Sequence, residues 1–138
     1  MESVWHALRQ GHPGHVAAIE ILRVDDDQFG TVDVGIVHER DQPTVVLVGT
    51  LDTKGKEYEF LRDRVREHGV DVLLVDAGIV GEPLAVPDVA REEVAATVGA
   101  DVQALAEAGD RGAAVETMSR GAAEVLKRLY AEGRCDGV

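Results

Sequence analysis

The residues best suited to chemistry in this chain are crowded into one short segment. Gly49-Thr50-Leu51-Asp52-Thr53-Lys54-Gly55 lies between an apolar run that reads as a strand and a periodic run that reads as a helix. Loops at the carboxyl ends of parallel strands are where α/β folds bind ligands. Thr50 and Thr53 offer hydroxyl donors, and Lys54 offers a compact point charge suited to phosphate. Asp52 could orient a ribose hydroxyl or a metal-bound water. The helix that follows would turn free N–H groups and its positive dipole end toward the same place. The segment is neither of the familiar phosphate loops. Gly-x-x-x-x-Gly-Lys-Ser/Thr places Gly directly before Lys, whereas Lys54 precedes Gly55, and Gly-x-Gly-x-x-Gly does not occur here. Without a ligand, the same residues are an ordinary βα turn in which Asp52 or Thr53 caps the helix.

Two further positions invite a role. Asp76 closes the next apolar run and is followed by Ala77-Gly78. An acid at the end of the second strand of a dinucleotide fold holds a ribose, and Gly78 lets a ligand or backbone approach closely. A turn-capping aspartate is the alternative. Farther on, Asp110 reads as a helix N-cap. Arg111 beside it opposes the helix dipole, which asks for an anionic partner. That partner is either phosphate or the carboxylate of a surface salt bridge.

The remaining candidates carry less. His12 and His15 lie in a Gly/Pro-rich stretch with no cysteine nearby and no defined ligand set. Asp25-Asp26-Asp27 fails the calcium-loop pattern, because its twelfth position is Ile36 rather than Glu. Ser119 falls inside a helical pattern without a nucleophile elbow. Cys135 has no activating neighbour and reads as structural. The spacing therefore names no catalytic residue and no metal ligands.

These groups must be positioned by an α/β rhythm that begins at Thr44. Thr44–Val48 and Val70–Val75 are short β-branched runs of the kind buried on both faces of a parallel sheet. Between them the spacing predicts a helix over Lys56–His68, with Tyr58, Leu61 and Val65 on one face and Gly69 as its stop. The three segments make one right-handed βαβ unit. A Gly/Pro-rich connection, Gly78–Pro87, leads to a short helix over Arg91–Val98. A second helix, Asp101–Ala108, has Asp101 as its cap. A long helix from Arg111 to Glu132 carries Val115, Met118, Ala122, Val125 and Leu129 at helical spacing and ends at Gly133. Cys135–Val138 reads as the approach to a third strand.

Residues 1–43 differ in character. They hold Trp5 and four of the five histidines, His6, His12, His15 and His38. Ile19, Leu22 and Val24 before the turn-rich Asp25–Gly30, with Val32, Val34 and Ile36 alternating after it, suggest a β-hairpin; Ala17–Val24 fits a helical turn or two equally well. The expected architecture is an α/β fold. It comprises an incomplete Rossmann-like parallel sheet with flanking helices over 44–138, and a short N-terminal extension over 1–43. With its third strand barely begun, the sheet reads as a truncated or split part of a larger domain.

Composition bounds the partners. The chain has 138 residues, with 14 Lys+Arg against 26 Asp+Glu and a formal net charge of −12. That balance argues against a nucleic-acid binder working by phosphate neutralisation and against adhesion to an anionic membrane. It leaves room for a locally positive nucleotide site. One cysteine excludes an internal disulfide and suits a reducing compartment. With no secretory signal pattern and no long apolar run, the expected location is the cytoplasm.

Several of these stretches resemble one known family. They are Val45-Val46-Leu47-Val48-Gly49-Thr50-Leu51-Asp52-Thr53-Lys54-Gly55 with Glu57, then Asp76-Ala77-Gly78 and Pro87-Asp88-Val89. Arg91-Glu92-Glu93-Val94, Asp110-Arg111-Gly112, and Met118 with Arg120-Gly121 complete the set. On these, Thr44–Val138 resembles the N-terminal part of the Tm-1-like ATP-binding family, which includes uncharacterised bacterial proteins and a plant protein conferring resistance to tomato mosaic virus. The resemblance implies the first of two Rossmann-type halves and binding of ATP, with or without magnesium. It places Gly49, Thr50, Asp52, Thr53 and Lys54 near the nucleotide, with Asp76 and Arg111 in support. Members of that family run on beyond Asp136-Gly137-Val138 into a strand and a glycine-rich loop suited to cradle phosphate, while residues 1–43 have no counterpart in them. The expected function is that of a nucleotide-binding domain fragment, with a homo-oligomer or a completing chain as its protein partner. The alternatives are half of an enzyme that uses ATP or a phosphorylated metabolite, finished by another chain, or a fragment without function. Neither nucleic acid nor membrane is an expected partner.

Overall fold

The computed structural model describes residues 18–38 and 42–138; the stretch with His12 and His15 lies outside them. Within the extension, residues 18–38 form an antiparallel hairpin of β1, Ala18–Asp26, and β2, Gly30–His38. Its turn is tied by Asp26 Oδ1, which accepts the N–H groups of Gln28 at 2.7 Å and Phe29 at 3.2 Å. The strand reading of residues up to Val24 holds, and the helical one does not.

The main body opens with β3, Thr44–Gly49, and β4, Asp71–Asp76, paired in parallel from Thr44↔Asp71 to Gly49↔Asp76. Between them runs α1, Leu51–Glu67. Then come α2, Arg91–Ala96, α3, Val102–Ala108, and α4, Arg111–Ala131. Asp101 and Asp110 cap α3 and α4 as their sequence positions suggest, accepting from Ala104 N at 2.8 Å and Ala113 N at 3.0 Å.

Single parallel bridges extend the sheet on both sides. Val89 pairs with Val75, and Gly137 pairs with Val45. The order across the sheet is therefore Val89, β4, β3, Gly137. In chain order that is 3-2-1-4, the start of a doubly wound sheet, with its reversal at the free side of β3. The expected Rossmann-like α/β class is what the chain adopts.

Alternation along the strands splits the core in two. Val45, Leu47, Val72 and Leu74 face α1 and the hairpin, where Leu51, Val65, Val24 and Val34 complete one cluster. Val46 and Val75 face the other way, onto Val94 and Ala95 of α2 and Met118, Val125 and Leu129 of α4. A sheet buried on both faces needs apolar side chains at every position, which explains why its strands read as unbroken apolar runs. Helix α4 comes so close to α2 that Gly121 lies against the Val94 carbonyl.

One helix start and one helix face depart from the sequence expectation. Helix α1 starts at Leu51, five residues before Lys56, and only Thr50 connects it to β3. The cause is a distant cap: Asp76 Oδ1 accepts the Leu51 N–H at 3.2 Å, so the helix begins without a capping side chain of its own. On α4, Val115 is 55% exposed while its neighbour Ala114 is 4% exposed and takes the inward place.

Candidate functional site

A cleft of about 570 Å³ opens above the carboxyl ends of β3 and β4. Thr50, Asp52 and Thr53 at the start of α1 form one side, and Asp110, Arg111, Val115 and Ser119 of α4 face them. The floor and the apolar wall come from Ala77–Val80, Leu105 and Met118. Two helices of 17 and 21 residues thus direct their N-terminal turns into one space. Each such turn carries partial positive charge, although Asp76 and Asp110 already accept the Leu51 and Ala113 N–H groups.

The structure brings together four of the residues singled out by type and spacing: Thr50, Asp52, Thr53 and Arg111. The two threonine hydroxyls lie 2.8 Å apart. The exposed Arg111 side chain has no ion-pair or hydrogen-bond partner among the described residues. Asp52 presents a buried Oδ1 without a hydrogen-bond partner.

The other three lie elsewhere. Because Leu51–Lys54 form a helical turn rather than a loop, their side chains fan out at about 100° per residue. Lys54 consequently points to the opposite side of α1, toward the hairpin, where its Nζ is 3.4 Å from Glu57 Oε1. Glu57 is held below the usual carboxylate range, first by a backbone hydrogen bond and then by Lys54. Gly49 is covered by the Tyr58 ring, which occupies the space a Cβ would fill. Tyr58 Oη in turn donates to the Val48 carbonyl at 2.8 Å.

Asp76 is buried beneath the cleft and fully engaged. Its Oδ1 accepts from Leu51 N and, at 2.8 Å, from Gly78 N. Its Oδ2 accepts from Arg91 Nε at 2.8 Å. Arg91 Nη2 is also 2.8 Å from Oδ2 but out of line for a hydrogen bond, and Nη1 donates to the Gly81 carbonyl at 2.7 Å. Gly78 is hemmed in by these groups: a Cβ there would lie 2.9 Å from both Asp52 Oδ1 and Asp76 Oδ1 and 3.2 Å from Arg91 Nη2. Spacing alone did not single out Arg91. The signal was nonetheless present, since Arg91, like Arg111, is a cation on the first turn of a helix, where the dipole disfavours it.

Among the described residues no group of three or more His, Cys, Asp or Glu is placed to hold a metal ion. No helix among them is long and apolar enough to cross a membrane.

A parallel α/β body with a cleft over its strand ends defines a Rossmann-like α/β domain class. The comparisons narrow that to a family. Residues 43–138 match the N-terminal domain of the uncharacterised protein family UPF0261, and the chain belongs to that family. A UPF0261 protein of Clostridium tetani is 37% identical over 94 residues, covering 68% of this chain and 23% of the relative. One from Brucella suis is 32% identical over 98 residues, covering 71% and 23%. One from Rhizobium meliloti is 35% identical over 82 residues, covering 59% and 20%. The chain thus spans about a quarter of the length of the curated relatives it matches. No solved structure matches it significantly.

Proposed function

We propose that this domain binds a nucleotide in the cleft over β3 and β4, with ATP the ligand that the family resemblance implies. The observation that supports the reading is the convergence of the α1 and α4 N-terminal turns and the unpaired Arg111 guanidinium on one cleft. Anions are favoured where such turns meet, and a guanidinium forks onto phosphate oxygens. Ile79, Leu105, Val115 and Met118 would take the base. The Asp52 carboxylate would accept from a sugar hydroxyl. With Asp52 and Asp110 both on the rim, the triphosphate is better accommodated as its magnesium complex, which carries less negative charge.

Isothermal titration with Mg-ATP tests this. Saturable binding is expected, weakened about tenfold, or 1.4 kcal/mol, by Arg111→Ala and unchanged by Lys54→Ala. A cooperatively folded protein that takes up no heat from Mg-ATP would overturn the reading. Sensitivity to Lys54→Ala but not to Arg111→Ala would move the phosphates to the other side of α1.

A further inference from the structure

We propose that α3 is a gate on the cleft, a short helix that lifts between glycine hinges at positions 99 and 109 while α2 and α4 stay in place. The gate belongs to the cleft whatever fills it, and only the last arm of its test rests on the nucleotide reading.

Two pins mark out the moving segment. The Thr97 hydroxyl is shared between the Val94 carbonyl at 2.7 Å and the Gly121 carbonyl at 3.2 Å, which fastens the end of α2 to the middle of α4. At the start of α4, Asp110 Oδ1 holds the Ala113 N–H at 3.0 Å. Between these pins stand Gly99 and Gly109, with φ of +69° and +67°. Glycine enters and leaves that left-handed region without the strain a Cβ would bring. Such a glycine ends many helices, but α3 has one on each side. Little else ties it down. Asp101 takes the Ala104 and Leu105 N–H groups, Gln103 Nε2 donates to Glu107 Oε1 at 2.9 Å, and the Gly109 N–H goes to the Ala106 carbonyl at 3.3 Å. Among the described residues no hydrogen bond or ion pair joins residues 101–109 to another element.

What holds α3 against α2 and α4 is apolar. Val102 is 9% exposed and Leu105 is half-buried, while every other residue of 101–109 is exposed. A segment with few buried apolar contacts and no crossing hydrogen bonds opens at the low end of a protein's range of local stabilities. Hinges at the ends of such a segment let its opening control a site. The place of α3 gives the opening its consequence. Leu105, Ala106 and the C-cap Gly109 are the part of the cleft wall that this segment supplies. Arg111 and Met118 belong to α4, which Val125 and Leu129 anchor in the core, and Thr50 and Thr53 stand at the start of α1. Lifting α3 therefore opens one wall and leaves the polar groups of the cleft where they are.

Thiol labelling of the full chain tests the gate, because the chain carries its own reference. Val102→Cys places a thiol on the inner side of α3, and Cys135, in the same apolar cluster but outside α3, is buried to the same degree, 8% against 9% exposed. Under native conditions iodoacetamide should label position 102 at least about tenfold faster than Cys135, with mass spectrometry of the digest separating the two. If Val102→Cys does not fold, Leu105→Cys on the same helix takes its place. Adding Gly109→Ala strains a left-handed residue that opening releases, and should speed labelling of α3 about tenfold while leaving Cys135 unchanged. Saturating Mg-ATP should slow it at least about tenfold by holding the wall closed. Equal labelling of the two thiols in the folded protein overturns the gate, and so does a Gly109→Ala effect that Cys135 shares. If titration shows Mg-ATP bound and α3 labels as before, the gate fails and the nucleotide reading stands. If titration shows no binding, the nucleotide reading fails and the first two arms alone decide the gate.

Discussion

Asp76 and Arg91 form a buried ion pair, Oδ2 to Nε at 2.8 Å, with side chains 1% and 8% exposed. Through it the end of β4 holds the start of α2. Through Oδ1 the same carboxylate holds the start of α1. One side chain thus sets two of the elements around the cleft.

Removing either partner leaves an uncompensated buried charge. Asp76→Ala should cost about 3–5 kcal/mol in urea unfolding. The double variant with Arg91→Met should cost less than the sum of the two single changes, because the lone guanidinium is gone. Strict additivity would show that the pair is not coupled.

Gly121→Ala and Gly112→Ala should have opposite effects, although both add a methyl to α4. Helix propensity favours alanine by up to about 1 kcal/mol. At 112 a Cβ meets nothing closer than Asp110 Oδ1 at 3.5 Å, so the helix gain should appear as a higher melting temperature. At 121 the Cβ collides with the Val94 backbone carbonyl, so α2 and α4 must separate. Overpacking of that kind costs about 1–3 kcal/mol, and thermal unfolding of the two variants side by side reads the difference.

Burial pushes the Tyr58 phenol above its ordinary value of 10.0. The folded state therefore holds the proton more tightly than the unfolded one. This contribution is complete below the unfolded value and is lost as pH rises through the folded one. Tyr58→Phe should flatten the alkaline fall in stability. At neutral pH it should cost about 1 kcal/mol for the lost hydrogen bond to Val48. Unfolding curves taken from neutral to alkaline pH decide both parts.

Cys135 is buried, and its thiol is raised above 9.0, first by desolvation and then by the Asp136 charge. The thiolate is the reactive form. Iodoacetamide should therefore label the native protein slowly and the urea-unfolded protein at the rate of a free thiol. Equal rates at matched pH would contradict a closed core beneath α4.

Much of the fold was legible because its signals are local. Thr44–Val48 and Val70–Val75 announce buried strands by β-branched composition, and Asp101 and Asp110 announce helix starts by a side chain that bonds three residues ahead. The hairpin was legible from alternation around its turn, although residues up to Val24 also fitted a helix. Of the candidate site, Thr50, Asp52, Thr53 and Arg111 were visible as polar groups beside expected helix starts.

What remained hidden depends on residues far apart in sequence. Gly49–Gly55 has the composition of a loop, yet from Leu51 on it is helix, and its first N–H is accepted by a carboxylate at position 76. That change sends Lys54 away from Asp52, because helical side chains diverge where loop side chains can converge. Arg91 was legible only as the start of a short helix, and its partner Asp76 lies fifteen residues away in sequence. The amino-acid sequence by itself determined which segments become strands and helices, since propensity, periodicity and capping act over a few residues. Only the tertiary structure decided which polar groups share the cleft and which are consumed in holding it together. Both outcomes follow from where chain-distant charges meet, and from burial that leaves them no water to turn to.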